Sequence, residues 1–361
     1  MSWQRGFLIG WLVVTLASCA SGGGGSPATG GGAAAGGAQA PAAGGAAASA
    51  GQPAPPPRVS LKYGLNTPTI SVANVWATKE LGIFDKYGLD VELVTLPADQ
   101  IVAALIGGEL AMSHLAGTPL VSAVLGGADL EFVGSAADKL RFWLYARPEI
   151  TTVRELRGKE IAITSRAGVV RRAAELILER NGMNPDGDAT YVATGNLNNS
   201  LGALLSGNVA AALLAPPVSF RAQDEGMRML VNLEDYDMQV ILSGIAVTRA
   251  WRGRNEEVAL RMLQALGEGT AFAVHNKERM IEIAAQYLQT NDMELMERSY
   301  DAQAPAWKRG TLRVQPEAIR YDLDTAAVDN PAAREARPEQ FYDNRLVELL
   351  EQQGFFQRLW Q

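Results

Sequence analysis

Chemistry has few places to reside in this 361-residue chain. One cysteine, Cys19, and two histidines, His114 and His275, are its whole stock of thiol and imidazole. A zinc centre needs three or four converging donors, and an activated nucleophile needs a base within hydrogen-bond reach. His114 stands at the end of a strand-like segment with no nucleophile in view, and His275 sits late on an amphipathic helical stretch. His114 reads as structural and His275 as a surface residue, so no catalytic residue, metal site or cofactor is expected. What recurs instead is a small polar group where a strand runs into a helix. Asn66-Thr67 precedes Pro68, Gly117-Thr118 precedes Pro119, Thr164-Ser165-Arg166 opens a helix, and residues 214–217 end in Pro216-Pro217. The free N–H groups of a first helical turn, helped by the helix dipole, bind anions and polar solute atoms. That chemistry is recognition, not bond making.

Each candidate has a plainer rival. Ser165 is an N-cap whether or not a ligand exists, and Thr67 can do the same job. Arg166 either meets a bound anion or stands in solvent. Trp76 belongs either to the core or to a cleft. Ser135, at the end of the strand 132–134, is a further polar candidate, while residues 138–141 (Asp-Lys-Leu-Arg) read as a solvated turn. The candidate ligand contacts are therefore Asn66, Thr67, Trp76, Gly117, Thr118, Ser135, Thr164, Ser165, Arg166 and Pro216.

The elements that must position these loops show an internal echo. Residues 59–63 read as a strand, then a loop, a helix ending before Gly82, and a strand over 91–95; residues 160–163, a helix over 167–180 and a strand over 191–193 repeat the order. "AALIGGELAMSHLAGTP" and "GALLSGNVAAALLAPP" each pass from helix through glycine and strand to proline, with Gly108 and Gly207 99 residues apart. Alternating helix- and strand-period segments favour βαβ units with right-handed crossovers. Two such units imply two α/β lobes, with residues 142–146 leading out of the first and 243–248 leading back. Residues 256–274, 277–288 and 338–359 read as helices. Two crossings permit closure by hinge motion. Lobe 1 is then 58–145 with 244–361, and lobe 2 is 146–243.

Outside those lobes, residues 1–18 read as a secretory signal: Arg5 is the lone early charge, and the apolar run 7–16 is too short to span a bilayer. Leu16-Ala17-Ser18-Cys19 resembles the lipobox of bacterial lipoproteins, which implies a lipid on the Cys19 sulfur and an anchor to a membrane from the extracytoplasmic side. Residues 20–57 are almost all Gly, Ala, Ser, Gln and Pro, a composition that buries nothing and acts as a tether of roughly 35 Å. With Cys19 so placed, the folded part has no thiol for a disulfide. The formal net charge of −7 argues against nucleic acid as a partner.

"WATKELGIFDKYGLDVELV", "ARPEITTVRELRGKEIAITS", "RAAELILERNGMNPDGDATYV" and "FYDNRLVELLEQQGF", in that order and spacing, resemble the substrate-binding proteins of ABC importers, in the nitrate/sulfonate/taurine group that includes thiamine-pyrimidine binders. The resemblance spans nearly all of residues 58–358. It implies a two-lobed periplasmic-binding-protein type II fold, each lobe a mixed, mostly parallel sheet flanked by helices, with the solute in the cleft. It also implies a monomer that hands a small, anionic organic solute to a permease and its ATPase. A pyrimidine precursor, an enzyme or a sensor on the same fold are the alternatives.

Overall fold

A computed structural model describes residues 57–66, 69–139, 141–166, 169–236, 239–307, 310–327 and 330–361. The expected signal, Cys19, the tether up to residue 56, and Thr67 lie outside the described residues.

Among the described residues, ten strands form two five-stranded sheets. The first contains β1 (Val59–Leu65), β2 (Leu89–Thr95), β3 (Met112–Leu115), β4 (Leu130–Ser135) and β10 (Gly244–Thr248), in the order β2-β1-β3-β10-β4. The second contains β5 (Trp143–Ala146), β6 (Lys159–Ile163), β7 (Ala189–Ala193), β8 (Ala211–Leu214) and β9 (Arg228–Asn232), in the order β7-β6-β8-β5-β9. In each sheet the first three strands are parallel, and the fourth runs antiparallel to both of its neighbours. That antiparallel strand is the one through which the chain arrives from the other sheet.

Residues 142–146 correct an expectation. They are not an exit from the first lobe but β5, paired in the second sheet with Leu214 through Trp143 and with Val231 through Leu144. The chain therefore crosses between β4 and β5, and crosses back between β9 and β10.

The strands β3, β4, β5 and β8 are buried on both faces, as a sheet covered by helices requires. One face of the first sheet packs under Glu256–His275 and Lys277–Leu288, the other under Gly117–Leu125 and Pro316–Ala326. The second sheet is covered by Val169–Arg180 on one face and Leu197–Leu205 on the other. The expected helix over 338–359 is instead a short turn, Pro338–Gln340, and two helices, Arg345–Gln352 and Phe355–Leu359. Gly354, at φ 68°, takes the left-handed conformation that ends one and starts the other. Met293–Gln303 and Pro316–Ala326 were not legible as helices. In the latter, Asp322 interrupts the inward apolar stripe of Ala318, Ile319, Leu323 and Ala326.

Candidate functional site

A cavity of about 900 Å³ lies between the two sheets, beyond the carboxyl ends of their parallel strands. Ligands collect there in open α/β sheets, because strand ends and helix starts leave backbone groups free. From the first lobe come Asn66 after β1, Thr69 and Ser71 beside it, Leu96 and Pro97 after β2, and Thr118, Pro119 and Ser122 after β3. The second lobe answers with Thr164 and Ser165 after β6, Gly195 and Asn196 after β7, and Ala215 and Pro216 after β8. Arg141 and Phe142 on the outward crossing, Leu242 on the return, and Gln303 complete the wall.

Local bonding fixes these loops. Asn196 caps Leu197–Leu205 by accepting the Asn199 amide at 2.9 Å, and the Thr194 and Ser200 hydroxyls meet at 2.6 Å below it. Across the cleft, the Thr69 and Ser71 hydroxyls meet at 2.7 Å. Thr118 donates its hydroxyl to Asp322 Oδ1 at 2.8 Å, and the Gly117 amide donates to the Ile241 carbonyl at 2.8 Å on the return crossing. Asp322 is 1 % exposed. Burial pushes its carboxyl up to about 7, with the hydrogen bonds from Thr118 and the Ile241 backbone acting in the opposite direction.

Arg141 is the only ionic side chain on the cavity wall among the described residues. It is 8 % exposed and donates to Glu234 through Nη1, while its buried Nε has no hydrogen-bond partner. Burial lowers its affinity for its proton, and the charge of Glu234 opposes that. The remaining wall is apolar or carries neutral hydroxyls and amides, so the site suits an amphipathic guest with a hydrogen-bonding edge.

The structure brings Asn66, Thr118, Thr164, Ser165 and Pro216 to this cavity. It places the other candidates elsewhere. Trp76 is 2 % exposed and stacks on Tyr287 at 4.9 Å in the first-lobe core, because its helix turns that face toward Lys277–Leu288. Ser135 is fully buried and donates to the Ala137 carbonyl within the crossing. Gly117 faces away from the cavity: a Cβ there would lie 1.7 Å from Asp322 Oδ2. Arg166 is exposed and does not line the wall. Thr67 lies outside the described residues.

Sequence reasoning missed Thr69, Ser71, Arg141, Phe142, Asn196 and Gln303. Asn196 carried a signal in its N-cap position before an apolar run. Asp138, Lys139 and Arg141, expected in a solvated turn, are bound into the crossing: Val240 donates to the Asp138 carbonyl, Lys139 bridges Gln239, and Arg141 is buried. His114 is buried within the first sheet, with Nδ1 2.7 Å from the Tyr63 hydroxyl, and burial lowers it to about 3. His275 is exposed. No group of three or more His, Cys, Asp or Glu side chains that could hold a metal occurs among the described residues. No helix among them is long and apolar enough to cross a membrane.

Known proteins resemble this architecture. The periplasmic aliphatic sulphonate binding protein SsuA from Escherichia coli superposes with a TM-score of 0.64 at 21% identity, covering 78% of this chain and 91% of that one. The periplasmic nitrate-binding protein NrtA from Synechocystis PCC 6803 gives 0.64 at 14% identity, covering 82% and 89%. These likenesses show a periplasmic-binding-protein fold. The riboflavin-binding protein RibY from Chloroflexus aurantiacus is 23% identical over 175 residues, 47% of this chain. The chain thus spans about half the length of the curated relative it matches, 48%. The family model described as NMT1/THI5 like matches residues 69–280, which include every strand described above except β1 and most of the cleft loops, and the chain belongs to that family.

Proposed function

We propose that this protein is an extracytoplasmic receptor that closes its two lobes on a small organic solute and presents it to an ABC permease. The observation that carries the reading is the cavity itself. Matched strand-to-helix loops of two sheets converge on it, the chain crosses beside it twice, and no carboxylate lines it among the described residues. Closure then needs only a solute that binds the shut form better, by a few kcal/mol. Cys19, as a lipidated anchor, and the tether would hold a monomeric receptor beside its permease. Among the described residues the wall has no nucleophile–base pair, and His114 is committed to Tyr63 inside the core, which favours binding over catalysis.

Arg141, the one wall cation among the described residues, and the helix starts favour an anionic solute of the sulfonate type. A bulkier uncharged heterocycle is the second reading. A cavity of about 900 Å³ with mostly apolar walls is far larger than nitrate requires, and a relative is named for riboflavin. Titration calorimetry with butanesulfonate, nitrate and riboflavin, paired with small-angle scattering, tests both. Binding of butanesulfonate with a smaller radius of gyration supports the first reading; binding of riboflavin alone supports the second. Silence and an unchanged radius for every compound sink the receptor reading.

A further inference from the structure

Thr118 reaches the cavity from the first lobe, yet the way its hydroxyl is held has a consequence for what it can bind. A threonine hydroxyl has one proton to donate. Here that proton points to Asp322 Oδ1 at 2.8 Å, behind the cavity wall. Asp322 sits so close under the start of the Gly117–Leu125 helix that only glycine fits at position 117. Its second oxygen, Oδ2, is buried against position 117.

We propose that Asp322 is a positioning residue of the cleft: seated beneath Gly117, it draws the Thr118 hydroxyl proton inward, so that Thr118 meets a solute as an acceptor and not as a donor. The inference rests on the receptor reading above and deepens it. The solute atom opposite Thr118 must then carry N–H or O–H, and an acceptor-only anion beside it is held less well while Asp322 is ionised. A protonated Asp322 reverses the arrangement: it donates to Thr118, whose own O–H is released toward the solute.

Among the described residues nothing ionised sits against the carboxyl to hold it in one state. The Gly117–Leu125 helix has no ionisable side chain, and neither does the return crossing at residues 240–243. The Val169–Arg180 helix brings Arg172 and Glu175, which pair with each other and act on Tyr321. The turns Pro331–Arg334 and Pro338–Gln340 bring Arg334 and Glu339, both exposed. On its own helix, Glu317 and Asp324 are exposed, and Arg320 donates to the Ala336 carbonyl. Burial lifts the carboxyl to about 7, which sets the changeover near neutral pH.

The test is a carbon-13 NMR titration of the aspartate carboxyls in the full chain, with Asp322→Asn identifying the resonance. The wild-type midpoint is expected near 7. Thr118→Val removes the donor to the ionised form and should raise the midpoint by about one pH unit, and Thr118→Ser should restore it. A midpoint that Thr118→Val leaves in place or lowers, or that serine fails to restore, overturns the proposal, and neither variant depends on Asp322→Asn folding. A second arm measures butanesulfonate and riboflavin affinity at pH 6 and pH 8. Butanesulfonate, which only accepts, should weaken at pH 8 by about threefold or more, an effect absent in Asp322→Asn. Riboflavin, which can donate, should not weaken. A butanesulfonate affinity that is the same at both pH values overturns the polarity assignment. If neither compound binds at either pH, the receptor reading fails, while the carboxyl titration still judges Asp322.

Discussion

The two lobes repeat one strand order, and their cleft loops fall 99 residues apart: Ala116-Gly117-Thr118-Pro119 in the first, Ala215-Pro216-Pro217-Val218 in the second. The loops share a backbone path out of a parallel strand but not a chemistry. Behind the first stands Asp322, from a helix that the second lobe has no counterpart for, and glycine is the residue that leaves room for it. At the matching place in the second lobe a proline ring stands where the first lobe has glycine. The same contrast runs deeper. The first lobe buries His114 with Tyr63 and Asn74 with Thr270, while the second lobe's loop network is the neutral pair Thr194 and Ser200. The repeat supplies a scaffold for recognition, and the C-terminal helices make one half of it titratable.

The largest expected effect lies with His114. Its folded pKa is about 3, below the ordinary 6.5, so the unfolded chain takes up a proton that the folded one refuses. The stability it contributes is complete above pH 6.5 and is lost as pH falls toward 3. The slope is about 1.4 kcal/mol per pH unit, or about 4 kcal/mol across three units. Chemical denaturation of the wild type and His114→Gln between pH 7 and 4 should show this difference. Parallel stability curves for the two proteins would remove the claim that the first lobe is the acid-sensitive half.

Position 117 comes next. Gly117→Ala drives a methyl into the Asp322 carboxyl and should cost about 1–3 kcal/mol. Pro216→Ala, at the matching place in the second lobe, should cost about 1 kcal/mol or less, chiefly through a freer unfolded chain. Asp322→Ala added to Gly117→Ala should recover part of the loss, because the two residues contend for one space. Equal losses at 117 and 216 would mean that the lobes differ less behind their loops than the geometry indicates.

Those two sites also mark how far the sequence could be read. The parallel strands and the helices that follow them were legible because glycine and proline punctuate a regular apolar period, as at Gly108 and Gly207. The polar loop residues Asn66, Thr118, Thr164 and Ser165 followed from that order. What stayed hidden depends on distant partners. β5 reads as a strand, but its sheet is fixed by β8 and β9, which come much later in the chain. Arg141 lies among charged neighbours and looks solvated until Glu234, 93 residues on, is seen to bury it. Gly117 read as a candidate ligand contact; the group packed against it is Asp322, from a helix whose apolar stripe that same aspartate breaks. Trp76 shows the converse, an aromatic whose core partner, Tyr287, lies on a helix from the far end of the chain.

The smallest effect concerns how the lobes touch. Arg298, on the first lobe's Met293–Gln303 helix, donates to both Asp224 oxygens at 2.9 Å and stacks over Phe220 at 4.7 Å, both on the second lobe's Val218–Asp224 helix. The pair is partly solvated, at 32% and 52% side-chain exposure, and is worth about 0.2–1 kcal/mol. Against global unfolding that is close to nothing, since each lobe keeps its own core. Against the balance between open and shut lobes it is a factor of about 1.4–5. Arg298→Ala should therefore leave the melting temperature nearly unchanged while lengthening the mean distance between fluorophores placed one on each lobe. Salt at 0.5 M should lengthen it in the wild type and have little further effect in the variant, because screening acts on the same contact. A variant that melts several degrees lower with the distance unaltered would place Arg298 in the first lobe's own stability and leave the two lobes without this tie.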